Sequence, residues 1–378
     1  MKLSYMKYLT ARRSLLFMVC GLIVFALYLY FFVGFNQVFL VVKNVNFTDY
    51  LFFYSLAIVT MLVVILCWVS SWRALLKALN VKISLKNAYL YYWTGYFVDL
   101  IVPCQQVCGE VTRLYLVEKE TRDDYGSIGA AGVTNRILGY SIVTTGLTAG
   151  AIYLLIRGKI PAFATDLLIL SWAGAMIYLS FLLYLALSPN AAEKLASLIL
   201  KILKVLRIKR YQSGEGPSPD LVASLRSFHN GFKFFRANPR YITKPLAFMI
   251  ASYILSFSVY VMIFYSLGFS TLLLDFFILV YFLAGAIQDA TSAFSVGGLE
   301  ILLTNIFIFF GIAPAASGVA AAVLRSVTFW LPLLVGYVIV QVVGAKSLLS
   351  PKIREKIRAE QEVKNIEDGE PGQSPRES

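Results

Sequence analysis

Seven stretches of this chain carry no charge over roughly the length a helix needs to cross a bilayer: Ser14–Phe35, Tyr50–Trp72, Ile137–Ile156, Leu167–Ala192, Pro245–Leu274, Ile301–Leu324 and Ser326–Ala345. That length is about 20 residues at 1.5 Å each. A soluble domain could not bury so much apolar surface, because 58% of the 378 residues are apolar and only 15% are charged. The expectation is an all-α, polytopic membrane protein. The first stretch is too long for a signal-peptide core and has no small-residue cleavage site, so it is expected to remain as a span.

The formal net charge of +13 raises nucleic acid as a partner, but the positions of the charges explain it otherwise. Basic residues fall before the first apolar run (Lys2, Lys7, Arg12, Arg13), between Arg73 and Arg122, between Lys194 and Lys244, and from Lys346 onward. All four segments can face one side, and the other side receives only Lys43, Arg157 and Lys159. This is the positive-inside asymmetry. It predicts a multi-pass protein of the cell membrane with both termini cytoplasmic and its excess charge against anionic lipid, with no nucleic acid involved.

Charges that interrupt the apolar runs give the expected topology. Span one (about 14–34) exits and span two (about 50–70) returns. Residues 87–116 begin and end beside cytoplasmic charge and are broken internally, which predicts two half-helices dipping in and back. Span three (about 127–156) exits, span four (about 166–187) re-enters, and a basic cytoplasmic linker covers 188–244. Span five (245–267) exits, residues 276–312 form a second broken hairpin entered from outside, and span six (about 318–345) returns. The membrane domain is thus 1–348, with repeat one at about 50–156 and repeat two at about 245–345. The tail 349–378 reads as disordered. Within the linker, Leu195, Leu198, Ile199, Ile202, Leu203 and Leu206 share one helical face opposite Lys194, Lys201, Lys204 and Arg207. This predicts an amphipathic helix lying on the membrane or against the span ends.

An internal repetition carries the functional argument. Asp99 precedes Glu110 by eleven residues and Arg136 follows Glu110 by 26; Asp289 precedes Glu300 by eleven and Arg325 follows by 25. Breaks accompany each acidic pair, at Pro103 and Gly109 in the first hairpin and at Gly297 and Gly298 in the second. Entered from opposite sides, the two units form an inverted-topology repeat, the pattern of alternating-access transporters. An ionised group at the bilayer centre costs about 2.5–3.5 kcal/mol on insertion scales, so idle ones are disfavoured. The expected resolution is pairing of Glu110 with Arg136 and of Glu300 with Arg325, with Arg113 a further cation one turn after Glu110. Two readings stay open here: structural salt bridges that hold the hairpins, or an anionic-headgroup site where half-helix N-termini and arginines converge.

Other features read more plainly. Gly132, Gly139, Gly146 and Gly150 suit close helix packing, and Tyr89, Tyr91, Tyr92, Trp93 and Tyr96 suit an interfacial aromatic belt. Cys20 and Cys67 lie in spans as small apolar residues. Cys104 and Cys108 lack the His or Cys partners of a zinc site, and His229 in the basic linker is expected to be solvated. No phosphate loop or nucleophile elbow occurs, so no cofactor, metal or catalytic residue is implied.

At these residues the sequence resembles a known family. Ser71-Trp-Arg-Ala-Leu-Leu, Gly95-Tyr-Phe, Pro103, Gly109-Glu110 and Arg113, then Gly297-Gly-Leu-Glu300, Leu324-Arg325 and Phe329-Trp-Leu-Pro332-Leu-Leu-Val-Gly336, are similar to the motifs of the lysylphosphatidylglycerol synthase transmembrane (flippase-like) family. The likeness spans roughly 50–345, and departs where that family usually has glycines after the proline: here Cys104-Gln-Gln-Val-Cys108 follows. The resemblance implies a membrane region that translocates lipids without the soluble aminoacyl-transfer domain, for which the 33 residues after Ala345 are too few. The combined expectation is a non-enzymatic flippase-like transporter of an anionic or polyprenyl-phosphate-type lipid. Asp99, Glu110, Arg113 and Arg136 form one half-site; Asp289, Glu300 and Arg325 form the other. The alternatives are an accessory subunit of a lipid-modifying or glycan-assembly pathway, and a membrane-embedded lipid-modifying enzyme. A second copy of the chain or a pathway enzyme is the protein partner to expect.

Overall fold

The computed structural model describes residues 35–102, 107–157, 162–188, 219–269 and 296–348, with a few isolated positions outside them. The described residues are helical, with no strand among them. In order they form α1 (Phe35–Asn44), α2 (Phe47–Ala78), α3 (Leu85–Ile101), α4 (Val107–Thr121), α5 (Tyr125–Arg157), α6 (Ala162–Leu187), α7 (Pro219–Ala237), α8 (Arg240–Ser266), α9 (Gly298–Phe309) and α10 (Pro314–Arg325). A short π-helical turn (Ser326–Trp330) then leads into α11 (Leu331–Leu348).

Among the described residues, four stretches are long and apolar enough to cross a membrane: α2, Ile169–Leu187 of α6, α8, and Pro314–Val343 running through α10 and α11. They correspond to expected spans two, four, five and six. α5, expected as span three, has the length at 33 residues, about 50 Å. Span one lies mostly outside the described residues, and helix α1 occupies Phe35–Asn44, between the expected spans one and two.

The core is the long contact between α2 and α8. Ala57, Met61, Val64, Ile65, Trp72, Leu75 and Leu76 recur at helical spacing along one face of α2 and are buried. On α8, Met249, Ser252, Val259, Tyr260, Ile263 and Phe264 do the same. The helices run antiparallel: Phe53 meets Tyr265 near one end, while Arg73 and Lys77 lie beside Arg240 and Lys244 at the other. The outer face of α2 keeps Phe52, Leu56, Val59, Val63 and Leu66 exposed. A helix apolar all round needs lipid on the side its neighbours leave open.

Local chemistry sets the ends. Asn46 caps α2 by accepting from Thr48 N–H at 3.0 Å. At the far end Asn80 turns left-handed (φ 65°) and lets Val81 N–H reach back to the Leu76 carbonyl. The first hairpin has two packed legs as expected: α3 ends at Ile101 with Val102 extended, and α4 begins at Val107. Pro103 lies outside the described residues. Gly109, expected at the break, instead sits in the first turn of α4. In the second hairpin α9 begins right after Gly297 and ends at Phe309; Gly311 (φ 87°) turns the chain into α10, with Pro314 at its start. Small residues on α10 (Ala315, Ala316, Ser317, Gly318, Ala320, Ala321) are buried and let α9 and α10 approach closely. Asp289 and the amphipathic stretch 194–207 lie outside the described residues, as does the tail 349–378.

The basic linker contains a helix that its charge obscured. α7 places Phe228, Phe232 and Gly231 against α5, where Ala130 is fully buried, and Ser224 donates to Asp124 at 2.9 Å. His229 on α7 is half-buried rather than solvated.

Candidate functional site

The first cluster gathers where α3, α4 and α5 meet. Asp99 lies two residues before the end of α3, buried at 6% exposure. Its Oδ1 accepts from Gly109 N–H at 2.7 Å, and its Oδ2 pairs with Arg113 at 3.2 Å. The carboxylate thus ties the first turn of α4 back to α3, consistent with acid favoured at a helix N-terminus. Both glycines at this crossing are steric requirements. A Cβ on Gly95 would lie 2.5 Å from Arg113 Nε, and one on Gly109 would collide with the Asp99 carboxylate and the Gly95 carbonyl.

Glu110 is the residue that the cluster's two arginines share. Its Oε1 accepts from Arg113 at 2.7 Å and from Arg136, on α5, at 3.4 Å. Arg136 also donates to the Tyr178 hydroxyl of α6 at 3.1 Å, and Tyr178 packs on Tyr140 with ring centroids 4.5 Å apart. Arg113 sits over the Tyr92 ring at 4.2 Å, a cation–π contact that supports the guanidinium from α3. Gly132, one turn before Arg136, clears room for the glutamate: a Cβ there would lie 3.1 Å from Glu110 Oε2.

The second cluster repeats the pattern with fewer parts. Glu300 is in the first turn of α9; its Oε2 accepts from Gly297 N–H at 2.7 Å and its Oε1 from Arg325 at 3.0 Å. Gly297 takes φ 81° to present that N–H, a conformation that costs residues with a Cβ. Arg325 lies over Phe329, 4.5 Å from the ring centroid. Arg136 is likewise followed four residues on by an aromatic, Tyr140. Immediately after Arg325 the helix winds as a π-turn, Leu331 N–H bonding to the Ser326 carbonyl five residues back, a local form that tends to occur at functional positions.

The clusters are joined by an apolar seam. Leu100, next to Asp99, packs with Val296, next to Gly297, and with Phe329 beneath Arg325. One buried apolar cluster thus links the end of α3 to the start of α9 and to the turn after α10. The clusters differ in access: Glu110 is 27% exposed, while Glu300 and Arg325 are each 2% exposed.

Six of the seven residues expected at the site fall in these clusters, and both Glu–Arg pairs form as expected; Asp289 is outside the described residues. Two readings change. Every one of the three arginines is already paired with a carboxylate, so no free cationic pocket exists within the clusters. The aromatic group on α3 is no interfacial belt: Trp93 is fully buried, Tyr89, Tyr91, Tyr92 and Tyr96 pack on the core, and Tyr92 carries Arg113. Tyr178 carries no signal in the sequence, whereas Gly95 stands in the family-like motif and Gly132 among the glycines suited to helix packing.

The description of the lysylphosphatidylglycerol synthase TM region matches residues 18–336. The chain belongs to this family. UPF0104 membrane protein MJ1595 of Methanocaldococcus jannaschii is 23% identical over 336 residues, covering 88% of this chain and 95% of its own length. UPF0104 membrane protein PH1989 of Pyrococcus horikoshii is 21% identical over 294 residues, covering 76% and 86%. No solved structure matches the chain significantly. Both clusters fall inside the region of the family match, and together with the apolar helices this membership makes the chain an integral membrane protein.

Proposed function

We propose that this protein moves a lipid with an anionic headgroup, of the phospholipid or polyprenyl-phosphate type, between leaflets, and that Glu110, Arg113 and Arg136 are the groups that meet the headgroup. The single observation that carries the reading is the unequal access of two otherwise matching half-sites. A charged half-site open at Glu110 and a sealed one at Glu300–Arg325 are what one state of an alternating-access protein built from inverted repeats would have. In the alternate state the two halves exchange roles. Membership of a family named for a lipid synthase's membrane region supports a lipid as the cargo.

Asp99, Glu110, Arg113 and Arg136 sum to zero formal charge. A headgroup phosphate therefore competes with Glu110 for two guanidinium groups instead of filling a vacant site. Because Glu110 on α4 is the link to Arg136 on α5, displacing it loosens the hairpin from the span. Binding thereby acquires a differential effect on two conformations, which any ligand-driven switch requires. Both termini and the linker 188–244 face the cytoplasm in this reading, so the first hairpin opens toward inner-leaflet lipid.

The test is leaflet accessibility of labelled phosphatidylglycerol and of a labelled polyprenyl phosphate in reconstituted vesicles. Wild type should exchange one of them faster than protein-free vesicles. Glu110→Gln should keep lipid through purification, its arginines being freed, yet translocate about tenfold more slowly or worse. Arg136→Gln should lose both. Wild type that never exceeds the protein-free rate would support an accessory subunit, and chemical conversion of the lipid an enzyme.

A further inference from the structure

We propose that a second anion site, separate from the Glu–Arg clusters, lies at the paired ends of α2 and α8 and holds the phosphate headgroup of an acidic membrane lipid. A cavity of about 550 Å³ opens there, walled by Arg73, Lys77, Arg240, Lys244, Tyr241 and Phe248 among others, and no acid lines it among the described residues. Arg73 and Lys77 are one turn apart on α2, and Arg240 and Lys244 one turn apart on α8, so each helix offers a cation pair on one face. Antiparallel packing brings the two pairs to the same end.

Like charges at this spacing repel by a few tenths of a kcal/mol per pair, and here two such pairs face one another. Among the described residues none of the four forms an ion pair that would offset this repulsion, whereas the arginines of both clusters do. The side chains are instead held for use. Arg73 Nε donates to the Ile83 carbonyl at 2.9 Å, which leaves its two terminal nitrogens without an acceptor among the described residues. Arg240 sits over Tyr241 at 5.3 Å, and Lys244 over Phe248 at 6.0 Å.

The ligand class follows from the surroundings. The cations sit at the ends of helices whose middles are lipid-facing, and the cavity is larger and more apolar than a bare phosphate needs: Pro245, Ala74 and Phe248 share its lining. A phosphate ester with acyl chains satisfies both parts, its charge at the four cations and its glycerol and first methylenes against the apolar wall. Basic pockets between membrane helices recognise acidic lipids in this manner. Such a lipid bridges α2 to α8, the pair that forms the core, so its occupancy should register as stability of the fold.

The experiment uses the full-length protein purified in detergent, titrated with dioleoylphosphatidylglycerol, with dioleoylphosphatidylcholine or with sodium phosphate, and read by melting temperature and by native mass spectrometry of retained lipid. The acidic lipid should raise the wild-type melting temperature; the zwitterionic lipid and free phosphate should not. Lys77→Gln with Lys244→Gln, both exposed and without an ion pair among the described residues, should fold normally and bind the acidic lipid about 25-fold more weakly, from roughly a factor of five per lost cation. In an Arg136→Gln background, which removes lipid retention at the central site, the acidic lipid should still raise the melting temperature, and this separates the two sites even if no transport is found. An equal response to free phosphate would mean a bare anion site without lipid. An acidic-lipid response unchanged in the double variant, or absent from wild type, overturns the proposal.

Discussion

The Glu300 carboxylate and the Arg325 guanidinium meet at 3.0 Å with each side chain only 2% exposed. Glu300 also caps α9 through Gly297 N–H, and Arg325 rests on Phe329. Both ions therefore have hydrogen bonds beyond their mutual attraction, the condition under which a buried pair persists. Its counterpart, Glu110 with Arg136, is longer at 3.4 Å, more exposed, and shared with Arg113. One pair is a brace, the other an opening.

This difference predicts unequal costs of breaking the pairs. Arg325→Ala leaves a sealed carboxylate without its cation and should cost about 3–5 kcal/mol, seen as a marked fall in melting temperature. Glu300→Gln combined with Arg325→Gln should recover much of that loss, since the amide oxygen still accepts from Gly297. Arg136→Ala should cost less, because Glu110 keeps Arg113. Additive losses in the Glu300–Arg325 double variant would show that the two are not energetic partners.

How much of this was legible in the sequence follows from what kind of signal each residue gives. A charge inside an apolar run stands out because lipid makes it costly, and so both Glu–Arg pairs could be named from spacing alone. Asp99 and Arg113 were visible for the same reason, but their mutual pairing was not. It depends on the two legs of a hairpin crossing at Gly95 and Gly109, and spacing says nothing about a crossing point. Tyr178 lies 42 residues from Arg136, one tyrosine among 23, with no charge to mark it. The aromatics of α3 resembled a belt because helical periodicity tells which residues share a face, not whether lipid or protein covers it. α7 stayed hidden because Arg226, Lys233 and Arg236 dominate a segment whose Phe228, Phe232 and Phe235 supply the apolar face.

The hairpin crossing gives a steric test. Gly109→Ala would drive a methyl into the Asp99 carboxylate and the Gly95 backbone, and backbone cannot rotate away. It should abolish or sharply lower the folded yield in detergent. Gly174→Ala on α6, where nothing lies within 4 Å, should be neutral or stabilise by up to about 1 kcal/mol, as expected for replacing a mid-helix glycine. Comparable losses at both positions would mean that the crossing is not as tight as its geometry implies.

Topology is tested by impermeant thiol labelling in a cysteine-depleted background. The antiparallel course of α2 and α8 places Lys82 and Ala237 at the same end of the pair and Asn44 at the other. Cysteines at 82 and 237 should label from the cytoplasmic side, and one at 44 from outside only. Labelling of positions 82 and 237 from opposite sides would break the inverted-repeat reading while leaving the clusters themselves intact.

Tyr178→Phe separates orientation of Arg136 from its charge. The hydroxyl accepts from Arg136 Nη1 at 3.1 Å, and its ring rests on Tyr140. Phenylalanine keeps the ring and loses one charge-assisted hydrogen bond, worth about 1.5–3 kcal/mol in a dry site and less beside the partly open Glu110. Arg136 remains paired to Glu110, so folding should be preserved and the melting temperature should fall only slightly. With its fork no longer fixed, Arg136 should present the headgroup with a wider spread of orientations. Lipid exchange should then drop several-fold without the loss of lipid retention expected for Arg136→Gln. Tyr140→Leu should act in the same direction, because it removes the ring that positions Tyr178. Full exchange activity in Tyr178→Phe would show that the tyrosine only fills space, and that Arg136 is aligned without its hydroxyl.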